Sequence, residues 1–256
     1  TGLTINRITE DLTSTLKSRY PDKLLICENY SDDSNSTSHL TSGWDTCWNT
    51  PMIYWIRGLA EGTQTISGFV YRSIHDVLTW PRDMVLSMQQ LITSHDLERL
   101  QNSADETGRR MARIFQMTYV GSPMLYYGDE TDAESLYNSK IEQFDWNKDN
   151  WNMNTYNLVK GLGQLRNEYT CLKNGVVKFG QSDNDAKTLS MARWDKNGAV
   201  ISLLNGNNSA VDMSVNVAQF EVANGTVLTD YFTGKTYTVS NGSITASVLA
   251  GGTVLV

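Results

Sequence analysis

Leu24-Leu25-Ile26-Cys27-Glu28 is an unbroken apolar run that stops on a carboxylate, and the polar stretch Asn29-Tyr30-Ser31-Asp32-Asp33 follows at once. A strand without polar alternation is one covered on both faces, as in a parallel sheet flanked by helices. Upstream, Leu3-Thr4-Ile5 reads as a further short strand and about Thr9 to Arg19 as a helix, with Pro21-Asp22 as the turn. Downstream, Met84 to Ile92 leads into Ser94-His95-Asp96. A helix is predicted over Glu106–Thr118, with Met111, Ile114, Phe115 and Thr118 on one face; Pro123–Tyr127 is the next strand. Tyr156 to Tyr169 is predicted helical, with Leu158, Leu162 and Leu165 at helical spacing. Apolar runs alternating with amphipathic helices signal parallel βα units, so residues 1–170 form one α/β domain with about five strand candidates.

Beyond residue 170 the period falls to two. Short strands are predicted at 176–179, 188–194, 199–204, 211–217, 226–232, 235–240, 244–248 and 253–256, separated by turn signals such as Asn197-Gly198, Asn224-Gly225, Gly234 and Asn241-Gly242. Residues 171–256 are therefore expected to form an antiparallel β-sandwich of about eight strands, packed firmly on the first domain across a tight boundary.

Composition narrows the partners. Lys+Arg 21 against Asp+Glu 28 gives a net charge of -7, so a polyanion is repelled and nucleic acid is excluded as an expected ligand. No apolar run approaches the ~18 residues of a spanning helix, and the first residues read as neither signal nor transit peptide. Seven Trp and 12 Tyr fit a neutral partner with flat apolar faces, such as a sugar. Cys27, Cys47 and Cys171 have no C-x-x-C spacing, which favours buried free thiols over a zinc site or a disulfide framework. Asp145-Trp146-Asn147-Lys148-Asp149-Asn150 begins like a calcium loop, but Tyr156 occupies the position that needs a bidentate Glu, so a polar turn is expected. N-x-S/T triplets at Asn29, Asn35, Asn207, Asn224 and Asn241 decide nothing in a chain so rich in Asn, Ser and Thr.

Glu28 and Asp96 share an address: each lies at the C-terminal end of an apolar strand, where α/β barrels place reactive groups. Two such carboxylates converging on one substrate are what glycoside cleavage requires, although each also suits a capping or loop-anchoring role. Ser94-His95-Asp96 spells a hydrolase triad, but consecutive residues of an extended segment point to opposite faces, and an N-cap pair is the plainer reading.

Several segments, in order, resemble the α-amylase family, glycoside hydrolase family 13. Leu25-Ile-Cys-Glu28 is similar to the segment carrying the family's general acid/base. Leu91-Ile-Thr-Ser-His-Asp-Leu-Glu-Arg99 is similar to its N/S-H-D-x-x-R segment, and Gly121-Ser-Pro-Met-Leu-Tyr-Tyr-Gly-Asp-Glu130 to its G-x-P-M-I-Y-Y-G-D-E segment. Trp48-Asn-Thr-Pro-Met-Ile-Tyr54 resembles the N-Y-P-I-Y stretch, and Phe144-Asp-Trp146 the x-P-M-x-W loop.

The resemblance implies the C-terminal portion of a TIM (β/α)8 barrel followed by a β-sandwich. It further implies a secreted hydrolase acting on α-1,4-glucans such as starch and maltooligosaccharides by a retaining mechanism. In that reading Glu28 protonates the glycosidic oxygen and then deprotonates water, Asp96 grips sugar hydroxyls in the oxocarbenium-like state, and His95 hydrogen-bonds the same ring. Arg99 orients the loop or a neighbouring carboxylate. Trp44 stacks on glucose or packs in the core, where Trp55 is expected. Partial burial is expected to tune Glu28. Asp129 and Glu130 are candidates for holding substrate or a loop, Tyr126 and Tyr127 are structural, and Arg109, Arg110 and Arg113 form a solvated face pairing with acids.

Two departures qualify this. In the resemblance, Gly2-Leu-Thr-Ile-Asn6 falls on the nucleophile strand, with Thr4 in the arginine position and Asn6 in the aspartate position, and an amide is a very poor nucleophile. The first three barrel strands and the calcium-associated domain have no counterpart, so calcium ligands are unassigned and no metal residues are named. The reading therefore expects a fragment, a half completed by an N-terminal chain, or a diverged relative. A catalytically disabled glucan-binding or scaffold protein is the alternative, and an interaction module built on residues 171–256 alone is a third.

Overall fold

Four short parallel strands run side by side in chain order. In the computed structural model, which describes residues 2–28, 42–134 and 142–256 with side chains from residue 7 onward, these are β1 (Ile26–Cys27), β2 (Thr46–Cys47), β3 (Gln89–Gln90) and β4 (Ser122–Pro123). Ile26 pairs with Thr46 and Cys27 with Cys47, Trp48 bridges Gln89, and Gln89 and Gln90 pair with Ser122 and Pro123. About five strand candidates were expected. Leu3-Thr-Ile5 is not a strand, since it lies within helix α1 (Gly2–Arg19), and β2 was not among the candidates. An apolar triplet is too short to fix a period of two, and here it continues into the helix. The side chains of Thr4 and Asn6, the stretch Asn29–Asp33, Asn35 and His39 lie outside the described residues.

α1 is moored by polar contacts. Thr13 is buried and its hydroxyl donates to the Ser42 carbonyl at 2.7 Å, whereas Ile8 and Leu12 are exposed. Lys17 Nζ lies 2.6 Å from Asp45, whose carboxylate also accepts the Leu25 N–H at 2.7 Å. Burial works against the ionised Asp45 carboxyl, but the Lys17 hydrogen bond and charge and the Leu25 N–H outweigh it and hold it below the usual carboxylate range. A carboxyl held low in the fold adds stability above its unfolded pKa, and that stability is lost as pH falls through its folded value. Acidification below about pH 4 should therefore lower the protection of α1 amides against exchange, relative to their intrinsic rates at the same pH. At neutral pH, Asp45→Asn should cost only about 0.5–1 kcal/mol, since the pair is a third exposed.

Helices α2 (Thr50–Ala60), α3 (Ile66–Thr79), α4 (Arg82–Ser87), α5 (Glu106–Thr118) and α6 (Met153–Glu168) follow. Four of them start at side-chain caps: Asn49, Thr65, Asp105 and Asn152 each accept backbone N–H groups of the first turn. α5 is the hub. Phe115 meets Phe69 of α3 edge-on at 4.6 Å and stacks on Tyr119 at 4.6 Å. Gly108 lets α5 cross α2, because a Cβ there would fall 1.9 Å from the Ala60 carbonyl oxygen. Arg109 and Arg113 are buried and paired with Asp132, so the basic stripe is not a solvated face; α5 is enclosed on nearly every side. Arg110 reaches across to the Gly252 carbonyl.

All eight strands predicted after residue 170 are present: β5 (Val176–Asp183), β6 (Thr188–Asp195), β7 (Gly198–Asn205), β8 (Val211–Asn216), β9 (Val227–Thr229), β10 (Thr236–Thr238), β11 (Ser243–Val248) and β12 (Thr253–Leu255). The order β12-β7-β6-β5 makes one antiparallel sheet, against which β8–β11 and β9–β10 pair as ribbons. The period of two has a purpose on both faces of this sheet. Ala192, Ile201, Leu203 and Leu255 face the sandwich interior with Val215 and Ile244. Leu189, Met191, Val200, Leu204 and Val254 join the core under α5 and α6. The sandwich thus shares half of its main sheet with the helical layer, which argues against residues 171–256 as a free-standing module. All three cysteines are buried and free. Among the described residues no helix is long and apolar enough to cross a membrane.

Candidate active site

Parallel strands present their following loops on one rim, so residues just after β1, β2, β3 and β4 are neighbours there. Glu28 follows β1 directly. Its neighbour Cys27 points the other way and is buried; burial and then the nearby Glu28 charge push its thiol pKa up. Cys47, beside it on β2, is pushed up to about 12 by burial, then by Cys27 and Asp76, so neither thiol is a nucleophile at neutral pH.

Past β3 the chain leaves the extended form. The Leu97 N–H donates to the Ser94 carbonyl at 3.3 Å, closing a turn that carries His95 and Asp96 on the same side. His95 Nε2 lies 3.3 Å from Asp96 Oδ2, against the expectation that neighbours diverge. The turn supplies the reason, since alternation applies only to extended backbone. Ser94 is buried and its hydroxyl accepts the Asp96 N–H, so it takes no part in a triad. The pair does not cap a helix either; the next helical turn is capped at Arg99.

Glu28, His95 and Asp96 converge: one oxygen or nitrogen from each lies within 4.8 Å of the others, and all three are exposed. Glu28 and Asp96 sit one strand apart, across β2. The edge of Trp48 approaches the His95 ring at 6.5 Å. The partial burial expected of Glu28 is not found among the described residues. This is also the one group of three potential metal ligands drawn together among the described residues. An imidazole with two exposed carboxylates is a poor match for calcium, which takes six to eight oxygens.

The loop bearing Asp96 is clamped from beneath. Asp129 is buried and accepts the Thr93 hydroxyl on both oxygens at 2.5 Å and the Tyr126 N–H at 3.2 Å. Arg99 Nη1 lies 3.7 Å from the same carboxylate and donates to the Tyr127 carbonyl, with the guanidinium 4.4 Å from the Tyr126 ring centre. Thr93 and Arg99 bracket Asp96 by three residues on either side, so Asp129 fixes both ends of its turn. Burial pushes the Asp129 carboxyl up, against the lowering pull of Thr93, Arg113 and Arg99. Arg99 is 3% exposed and therefore orients a carboxylate and a loop rather than gripping substrate directly.

The other candidates divide. Trp44 is half-buried against the core with its indole N–H unpartnered. Trp55 packs on the core as expected. Asn6 is not at a strand end, because residues 2–19 are helical. Asp145–Asn150 is the expected polar turn, with Asp145 accepting from the Asn147 N–H and Asn150 Nδ2. The ionic knot at Asp132 was not anticipated, since nothing in its local sequence marks it.

No family model matches the chain. It is 28% identical over 203 residues to a cyclomaltodextrinase of Geobacillus thermopakistaniensis, covering 78% of this chain and 34% of that protein. To neopullulanase 2 of Thermoactinomyces vulgaris it is 26% identical over 230 residues, covering 86% and 37%. The chain thus spans about a third of the length of these curated relatives. In fold it is similar to a cyclomaltodextrinase structure, with a TM-score of 0.86 at 18% identity over 97% of this chain and 43% of the other. An α-amylase from Geobacillus thermoleovorans gives 0.84 at 15% identity over 98% and 56%. Rim carboxylates, strand order, sandwich and relatives agree: the chain belongs to the α-amylase family, glycoside hydrolase family 13, and represents its C-terminal part, the last portion of the barrel followed by the β-sandwich.

Proposed function

We propose that this chain carries the acid/base half of an α-1,4-glucan-cleaving site that works with retention of configuration. The convergence of Glu28, His95 and Asp96 within 4.8 Å carries the reading. Glu28 donates a proton to the leaving glycosidic oxygen and later removes one from the attacking water. Asp96, steadied by His95 and by its clamped turn, accepts hydroxyl hydrogen bonds from one glucose unit and offsets the positive charge that develops at the anomeric carbon. His95 donates to the same unit. Retention also needs a nucleophilic carboxylate. With Asn6 in a helix, that group is assigned to a part of the barrel beyond these residues or to a complementing chain.

The test is to incubate the protein, together with the part of the barrel or the complementing chain that supplies the nucleophile, with maltoheptaose and follow products by NMR. α-Anomeric ends appearing first are the expected result. β-Anomeric ends first would contradict retention, and tight binding without turnover would convert the enzyme into a glucan-binding relative.

A further inference from the structure

α3 carries two apolar faces. Ile66 and Phe69 enter the core, while Tyr71, Ile74 and Leu78 are 73%, 42% and 79% exposed. Its charged residues serve the inner side. Asp76 is buried and accepts Asn49 Nδ2 at 3.0 and 2.9 Å, and the Arg72 charge acts on the buried Tyr119. The exposed positions are Ser67, Tyr71, Ile74, His75, Leu78 and Thr79, with no Asp, Glu, Lys or Arg among them. A surface helix ordinarily turns charged side chains to water, and one that is apolar on opposite sides is covered on both.

Tyr71, Ile74 and Leu78 are spaced by three and four, so they form one stripe about 10 Å long, over two turns. Uncharged contacts brace it: the Tyr71 and His75 rings lie 6.4 Å apart, and the Thr79 hydroxyl donates to the His75 carbonyl at 2.7 Å. The stripe leaves roughly 300–400 Å² of apolar surface in water, the size of patch that marks an interaction site on a soluble chain.

Charge indicates what covers it. The chain has a net charge of -7, which sets copies of it against one another over most approaches. On the α3 stripe two copies can meet without bringing carboxylates together. A two-fold contact needs a surface that complements itself. With the helices antiparallel, Ile74 meets Ile74, each Tyr71 covers Leu78 of the other copy, and the helix dipoles oppose. The patch is under half of the ~800 Å² per partner that a stable complex buries, so the pairing is weak.

We infer that α3 is a self-association face, through which two copies of this chain pair antiparallel along Tyr71, Ile74 and Leu78.

The test is sedimentation equilibrium. The average mass should rise from one chain toward two between about 10 µM and about 1 mM protein, the range of a weak interface. Leu78→Glu and Tyr71→Lys should each weaken pairing at least about tenfold, because each places an unpaired charge in the contact. The urea midpoint should not move, since both side chains are exposed. The two changes in one chain should restore pairing: each introduced ammonium then meets the introduced carboxylate of the other copy, whereas within one helix they lie too far apart to pair. A mass of one chain at every concentration would overturn the self-association and leave the stripe to a different partner. Dimers that survive Leu78→Glu would place the contact elsewhere, and a double variant no better than either single one would overturn the antiparallel pairing.

Discussion

Asp132→Ala should lose about 3–5 kcal/mol of stability in a urea titration, the scale for removing one partner of a buried ion pair. Asp132 lies between Arg113 Nη2 at 2.5 Å and Arg109 Nε at 3.3 Å, and it also accepts Asn152 Nδ2 at 2.9 Å and the Thr155 hydroxyl at 2.7 Å. Deleting the carboxylate strands two buried guanidinium groups together. It also puts alanine at a φ of 56°, a conformation that costs L-residues about 1–2 kcal/mol and that Asp tolerates better. Asp132→Asn keeps the shape but removes the charge and turns an N–H₂ toward neighbours of which only the Thr155 hydroxyl can also accept, so an intermediate loss is expected. The effect should spread: Arg113 also donates to the Asp129 carbonyl, and Asp129 holds the turn beneath Asp96. A loss below about 1 kcal/mol in Asp132→Ala would mean that packing, not this ionic knot, fixes the loop after β4.

Glu28→Gln should lower kcat by about 10²–10⁴-fold, the usual range for a positioned proton donor. Stability should stay within about 0.5 kcal/mol, because Glu28 is exposed. The pairing of these two outcomes matters. A large fall in kcat with an intact fold and a similar KM marks a group that acts in the transition state. Unchanged turnover would remove Glu28 from the chemistry and leave it as a rim residue.

Much of this was legible in the sequence, for physical reasons that differ by element. The helix over Glu106–Thr118 was read to its ends because Asp105 caps it and its apolar face is continuous. The sandwich strands were legible because Asn-Gly turns and strict alternation mark them. α3 was not, because Tyr71, Ile74 and Leu78 are exposed and blur the amphipathic pattern. Leu3-Thr-Ile5 misled because three residues cannot distinguish strand from helix. At the site, the strand-end addresses of Glu28 and Asp96 suggested that they could meet, but suited a capping or loop-anchoring role as well. The turn that sets His95 beside Asp96 was not, since it depends on a buried clamp from Thr93, Arg99 and Asp129 that no local motif encodes.

The account's central claim is tested most directly by a double-mutant cycle on turnover, using Glu28→Gln and Asp96→Asn separately and together. Groups that act as a unit on the same substrate give grossly non-additive losses. If both side chains act on a single bound glucose unit, the double variant should be scarcely slower than the worse single variant. Losses that simply multiply would show that the two carboxylates work independently and would contradict the account.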